Sequence, residues 1–318
     1  MNKLTVVMYH YVRNLEDSRY PEIKGLELAL FIQQMEFFLK NYNIVRMEDV
    51  INCEKGKNEL PAKSLLLTFD DGYHEHFTNV YPILKSFGVQ GSFFIPAKPI
   101  LENTLLDVNK IHFILASLVD VNELVSDLKI DINDNKDKLG LKDFNSYFNE
   151  YAIPNRFDKK EVIFIKRMLQ HVLPETLRNK LTSKYFVKYV GITEKKFSKE
   201  LYMNTYQIKQ LIRDGMHVGC HGYDHYWWNK LDPDSLQKEI SKSKDFLQSL
   251  GCDMSNWTAC YPYGSSSDEV TSELERQGCN LAFTTEVNIV TIGNDSKLLF
   301  PRLDTNDFPP KSENYKTI

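Results

Sequence analysis

Long apolar runs, paired cysteines and an excess of positive charge are all missing from this chain of 318 residues. No uninterrupted apolar stretch approaches the roughly 18 residues of a membrane-spanning helix, so no span is expected. The apolar run at the N-terminus, Leu4–Tyr9, is too short for a secretory signal, which points to a cytoplasmic protein and a first buried strand. The five cysteines (Cys53, Cys220, Cys252, Cys260, Cys279) are odd in number and scattered, with no Cys-x-x-Cys pair. That argues against a disulfide framework and a thiolate zinc cage and predicts reduced, buried thiols. A formal charge of -4, from 39 Lys and Arg against 43 Asp and Glu, leaves no electrostatic footprint for nucleic acid. Apolar residues are plentiful: a 42% hydrophobic fraction can fill one large core or two smaller ones.

Strand and helix patterns alternate through the first hundred residues. Leu4–Tyr9 reads as strand, Ala29–Lys40 as helix, Ile44–Met47 and Ser64–Phe69 as strands, and His74–Phe87 as a helix closed by Gly88. Val89–Pro96 follows as a strand in which Gly91 marks a bulge or a close approach. From Leu101 to Met203 the alternation stops and the chain turns charged, aromatic and helical, with one apolar face over Glu161–Leu173. It resumes with a helix at Thr205–Asp214, a strand at Met216–Cys220, and helices at Ser235–Leu250 and Ser267–Gln277. Further strands are expected at Thr258–Tyr261, Leu281–Thr284 and Leu298–Leu303. This order predicts an α/β, mostly parallel barrel over residues 1–100 and 204–305, with a polar tail at 306–318. Between the two barrel segments, residues 101–203 are expected to form a mainly helical insertion, since unstructured loops of about 100 residues are improbable.

Chemistry concentrates at the predicted strand ends. The apolar run Leu65–Phe69 terminates in Asp70-Asp71-Gly72, either a solvated Asp-Gly turn or a charged site needing a divalent cation or an Arg to offset carboxylate repulsion. His221 and His225, four apart beyond the next strand, are either ordinary surface or core histidines or a pair reaching one metal ion. Tyr261-Pro262-Tyr263-Gly264 is a turn, or a turn that aims a backbone N–H at a developing oxyanion. Arg302 would orient a carboxylate if it points inward and would be a surface cation if outward; His10 would be a proton donor or a rim residue. His74 and His76, two apart on a helix, are expected at the surface, and His217 exposed or just behind the site. Of Trp227 and Trp228, one is expected in the core and one open to stacking on a sugar.

Thr68-Phe69-Asp70-Asp71-Gly72, His221-x3-His225 and Tyr261-Pro262-Tyr263-Gly264, in that order, resemble the polysaccharide deacetylase (NodB-homology) family of carbohydrate esterases. Tyr9-His10 and Pro301-Arg302 are similar to the branch that de-N-acetylates poly-N-acetylglucosamine, in which the histidine motif is permuted to the first strand. The resemblance implies a distorted (β/α)7 TIM-like barrel and metal-dependent hydrolysis of an N-acetyl group on a glycan or glycan precursor. By it, Asp71, His221 and His225 bind the ion, Asp70 is the base and the Tyr263 N–H holds the oxyanion. His10 protonates the leaving amine and Arg302 partners Asp70; from residue type and place, Tyr261, Pro262, Trp227 and Trp228 are expected to line the substrate site. Such a ligand set suits Zn²⁺ first, with Co²⁺, Ni²⁺ or Fe²⁺ as alternatives. Carbohydrate O-acetyl esterase activity and a catalytically silent sugar-binding barrel are the rival readings. The chain departs from the family in having Cys260 where most members place an Arg, and no histidine after His225.

Overall fold

Seven parallel strand segments carry the architecture: β1 (Lys3–Tyr9), β2 (Ser64–Asp70), β3 (Ser92–Ile95), β4 (His217–Cys220), β5 (Ala259–Cys260), β6 (Ala282–Phe283) and β7 (Leu303–Asp304). The protein is described by a computed structural model covering residues 3–154 and 158–318; residues 1–2 of the expected barrel segment and 155–157 of the expected insertion lie outside the described residues. From β1 to β6 the strands pair in chain order, each pairing parallel. The segment entering β7 joins the two ends of this row, with Phe300 bridging Phe283 of β6 and Leu303 pairing with Val7 of β1. The fold is thus the α/β barrel that the strand and helix order predicts, in the distorted (β/α)7 form that the family resemblance implies. Asn43–Ile44 adds a short parallel segment to β2, and Val290–Thr291 an antiparallel one to β1.

Period-two alternation decides which residues face inward. Leu4 and Val6 of β1, Leu66 of β2, Phe94 of β3, Cys260 of β5 and Phe283 of β6 form one buried cluster, inside the ring. Their neighbours Val7, Tyr9, Leu65, Leu67, Phe69, Phe93, Ile95 and Val218 belong to a second cluster packed against the helices. The helical partners supply matching stripes: Phe31, Met35 and Phe38 from Leu28–Asn41, Ile208 and Leu211 from Thr205–Arg213, and Leu236, Ile240 and Leu247 from Pro233–Leu250. Each such side chain contributes about 1.5–3 kcal/mol on full burial. Helix starts are set by polar caps, Asn204 with Gln207 reciprocally, Asp232 ahead of Pro233, and Ser267 ahead of Asp268–Arg276.

Tertiary contacts divide the chain into two compact units, one of Met1–Leu15, Gly25–Thr104 and Ser198–Ile318, the other of Glu16–Lys24 and Leu105–Phe197. The first holds the barrel. The second is helical, with Asp107–Ser117, Val121–Leu139, Phe144–Tyr151, Lys160–Arg167 and Glu175–Val190 as its main helices. Phe113, Leu124, Leu128, Ile132, Phe164, Leu181 and Phe186 are buried in it. Asp120 and Asp143 cap helix starts, and Gly140 and Gly191 adopt left-handed φ at helix ends. Its buried Lys110 is neutralised by Asp107 at 3.0 Å and Glu194 at 3.1 Å.

Several expectations are corrected. The strand expected at Ile44–Met47 is shorter and earlier, Asn43–Ile44 with the Val45 N–H still on the Leu65 carbonyl, and Met47 starts a helix to Glu54 because the Asp49 carboxylate accepts the Arg46 N–H and caps it. His76 is not at the surface but fully buried, its Nε2 donating to the His10 carbonyl at 2.8 Å. Burial holds this imidazole down to about 4. His217 faces the ring interior at the end of β4 remote from the site and bonds Thr258 Oγ1 at 2.8 Å. Gly91 is a close approach, with Leu84 at 2.6 Å from where a Cβ would sit. Residues 306–318, polar by composition, still bury Phe308 against Phe38 and Tyr315.

Two outcomes follow from this packing. A Cβ on Gly219 would lie 2.6 Å from the Phe94 ring and 2.9 Å from Thr258 Oγ1, so Gly219→Ala should cost about 1–3 kcal/mol in urea unfolding; an unchanged midpoint would show that the interior yields. His76 binds a proton in the unfolded chain near 6.5 but in the fold only near 4, so stability falls as pH drops through that window and levels off below it. Against His76→Gln, which keeps a donor for the His10 carbonyl, the wild type should lose roughly 3 kcal/mol more between pH 7 and pH 4; parallel profiles would contradict the assignment.

Candidate active site

The alternation that puts Leu66 inside the ring also puts Thr68 and Asp70 there, and Arg302 meets them from the stretch entering β7. Arg302 is 1% exposed, and its guanidinium grips Asp70 in bidentate fashion, Nη1 to Oδ1 at 3.0 Å and Nη2 to Oδ2 at 2.8 Å. Its Nε donates to the Thr284 carbonyl and Nη1 also to Thr68 Oγ1, so the group is fixed on every side. Burial alone would raise the Asp70 pKa; Arg302 overrides it and holds the carboxyl at about 2. Cys260 completes the cradle, its thiol donating to Asp70 Oδ2 at 3.3 Å. The side chain standing where most of the family has an Arg is therefore in contact with the carboxylate, and Arg302 supplies the cation. His10 Nε2 lies 3.9 Å from Asp70 Oδ2 with 41% of its side chain exposed.

Asp71 turns the other way. Its φ of 76° is left-handed, as are His225 at 57° and Tyr263 at 57°; such backbone costs a non-glycine residue on the order of 1–3 kcal/mol. Strain of this kind gathers where side chains are aimed at a common point. Asp71 Oδ1 lies 3.3 Å from His221 Nε2 and 3.5 Å from His225 Nε2, and the two nitrogens are 3.1 Å apart. All three residues are buried. His221 Nδ1 must carry a proton, since it meets the Cys260 carbonyl at 2.9 Å, so Nε2 is the nitrogen that faces the triangle. Burial opposes charge on this ring, yet Cys260, Asp71 and Asp70 raise its pKa well above the ordinary value, and a cation would take the place of the Nε2 proton. Among the described residues, Asp71 Oδ1 and His225 Nδ1 have no hydrogen-bond partner. Burial disfavours charge on Asp71, yet the facing imidazoles hold its pKa well below the usual range, while burial and His221 push His225 down to about 3.

The donor set fits a divalent cation. An ion about 2.1 Å from three tetrahedrally disposed N and O donors separates them by about 3.4 Å. The observed edges of 3.1, 3.3 and 3.5 Å match that requirement, and the unsatisfied buried oxygen is the kind of group a cation compensates. Three ligands leave a coordination position for water, the mark of a catalytic rather than a structural site. Asp70, His221 and Cys260 also lie close together, but Asp70 is committed to Arg302.

At the rim, Trp227 stacks on Tyr263 with ring centres 4.7 Å apart at 10°, and Tyr263 meets His225 edge-on at 4.7 Å. Three of the expected substrate-lining residues are corrected. Tyr261 is buried with its hydroxyl on the Leu298 carbonyl, Trp228 is fully buried against Tyr261, and Pro262 is buried in the turn, so none offers a free face to a ligand. Sequence reasoning missed two supports. Tyr73, two residues past Asp71, donates its hydroxyl to Asp71 Oδ2 at 2.5 Å. Glu239, from the helix Pro233–Leu250, accepts the backbone N–H groups of Tyr223 and Asp224 and so pins the loop between the two histidines. Proximity to the Asp pair was a signal for Tyr73; nothing local marked Glu239.

Comparison with known proteins identifies the family. The polysaccharide deacetylase family model matches residues 57–120 and 179–282. Over 88 residues the chain is 31% identical to the poly-beta-1,6-N-acetyl-D-glucosamine N-deacetylase of Escherichia coli (strain K12), a match spanning 27% of this chain and 13% of that protein's length. Among solved structures, a Streptococcus pyogenes deacetylase in complex with acetate superposes with a TM-score of 0.59 at 17% identity, covering 99% of this chain and 97% of that one. IcaB from Ammonifex degensii gives 0.57 at 17% identity over 97% and 95% of the two chains. At such identity these structures speak for the fold alone; the family model, which takes in both the Asp70-Asp71 and the His221–His225 motifs, places this chain in the polysaccharide deacetylase family.

Proposed function

We propose that the protein is a metal-dependent N-deacetylase that removes the acetyl group from an acetamido sugar in a glycan or glycan precursor. The observation that carries this reading is the buried triangle of Asp71 Oδ1, His221 Nε2 and His225 Nε2 beside an ionised, clamped Asp70. When bound, a divalent ion, Zn²⁺ by preference for this donor set with Co²⁺, Ni²⁺ and Fe²⁺ also suited, acidifies water to a pKa of about 7 and polarises the acyl oxygen.

The chain's own residues do the rest. Asp70 takes the proton of the attacking water. Its low pKa makes it a weak base, and Arg302 is the cause; in return the carboxylate stays charged and aimed. The Tyr263 backbone N–H, turned by a left-handed φ at the β5 tip, donates to the acyl oxygen as negative charge collects there. An amine leaves poorly as an anion, so its nitrogen needs an acid; His10, half-buried and next to Asp70, protonates it. On this reading the acid is supplied from the tip of β1, as in the permuted arrangement. Trp227, on Tyr263, is placed for stacking on a sugar face. The helical segment is read as an insertion into the deacetylase barrel.

Asp70→Asn should lower acetate release from an N-acetylated sugar panel by about 10²–10⁴-fold, and dipicolinate should abolish release until Zn²⁺ or Co²⁺ is restored. A panel on which wild type, variant and chelated protein behave alike would refute the assignment. His10→Ala should cut N-acetyl hydrolysis by a factor in the same range of about 10²–10⁴ while sparing O-acetyl ester cleavage, because an alkoxide leaves without strong acid help; undiminished N-acetyl turnover would remove His10 from the mechanism.

A further inference from the structure

Asp71 has two oxygens, and the structure treats them differently. Oδ1 faces the two imidazoles, whereas Oδ2 accepts the Tyr73 hydroxyl at 2.5 Å. Tyr73 is fully buried and cannot swing away. Tyr11 stacks on one side of its ring, with centres 4.1 Å apart at 17°. Tyr202 lies parallel at 6.3 Å, and its backbone bridges that of Tyr73. His76 meets the ring edge-on at 5.5 Å. Tyr11 is itself covered by the Arg13 guanidinium, 4.9 Å above its ring, and Arg13 is locked to Glu75 by two hydrogen bonds of 2.8 and 2.6 Å. A phenol so enclosed holds its hydroxyl on a fixed vector toward Asp71 Oδ2.

We infer that Tyr73 is a positioning residue that occupies Asp71 Oδ2 and thereby restricts Asp71 to single-oxygen ligation through Oδ1. This rests on the metal-dependent reading above. A carboxylate free at both oxygens can close on an ion bidentately and fill the position that water needs; a hydrogen bond on one oxygen prevents that and fixes the other. The remaining donors His221 and His225 offer one nitrogen each, so the count stays at three and a position stays open.

The test is the visible spectrum of the Co²⁺-loaded protein. Co²⁺ absorbs strongly in four-coordinate sites and weakly once a further ligand joins. Tyr73→Phe, which keeps the ring and removes only the donor, should bind Co²⁺ with weakened visible bands. Tyr185→Phe, which removes a tyrosine hydroxyl from a different carboxylate, Asp131 in the helical unit, should keep the wild-type spectrum. A Tyr73→Phe spectrum superimposable on wild type overturns the inference. So does a metal-loaded wild-type crystal structure with two equal Asp71–ion contacts, a measurement that needs no variant. A wild-type protein that takes up no Co²⁺ would instead defeat the metal-dependent reading itself, so the two failures are distinguishable.

Discussion

Two adjacent carboxylates, Asp70 and Asp71, are both buried at the tip of one strand, and the surrounding structure exists to keep both ionised. Like charges this close cannot both survive in a dry interior without compensation. The fold answers with two different devices. Asp70 receives a guanidinium on both oxygens, a buried pair whose rupture costs about 3–5 kcal/mol. Asp71 receives a phenol on one oxygen and faces two imidazoles with the other. One carboxylate is thereby made permanent and oriented, and the other is left with a lone pair that only a cation satisfies well.

The barrel makes this separation possible through parity. Asp70 shares the inward face of β2 with Leu66 and Thr68, so it meets Arg302 and Cys260 inside the ring. Asp71 would point the opposite way on a continued strand; its left-handed φ redirects it toward the loop after β4. Equally unusual backbone at His225 aims its imidazole at the same point, and recurs at Tyr263, whose ring meets that imidazole edge-on. The strain is offset by the rigid cores on either side of the strands, which hold the tips in place whether or not their conformations are locally favourable.

Much of this was legible in the sequence because the polar groups of the site sat immediately after apolar runs. Asp70-Asp71, His221, His225 and Arg302 each follow or lie within a strand pattern, and a barrel collects strand ends at one rim. What was not legible depended on three-dimensional neighbours. His76 looked like a surface residue from its spacing with His74, yet it is enclosed by Phe69, Tyr73 and Phe93. Trp228 and Tyr261 suggested sugar contacts by residue type, but side-chain direction sent both into the core. Cys260 read as a gap in the Arg position and turned out to touch the carboxylate that Arg302 holds from across the ring. The helix at Met47–Glu54 escaped because its cap, Arg46 with Asp49, lacks the usual Ser, Thr, Asp or Asn start.

The account stands on the claim that Asp71, His221 and His225 share one ion, and metal stoichiometry tests that most directly. Protein dialysed against Zn²⁺ and then metal-free buffer should retain one Zn²⁺ per chain by elemental analysis, and His225→Ala and Asp71→Ala should each retain far less. Wild type that holds no ion, or variants that hold one as firmly as wild type, would contradict it.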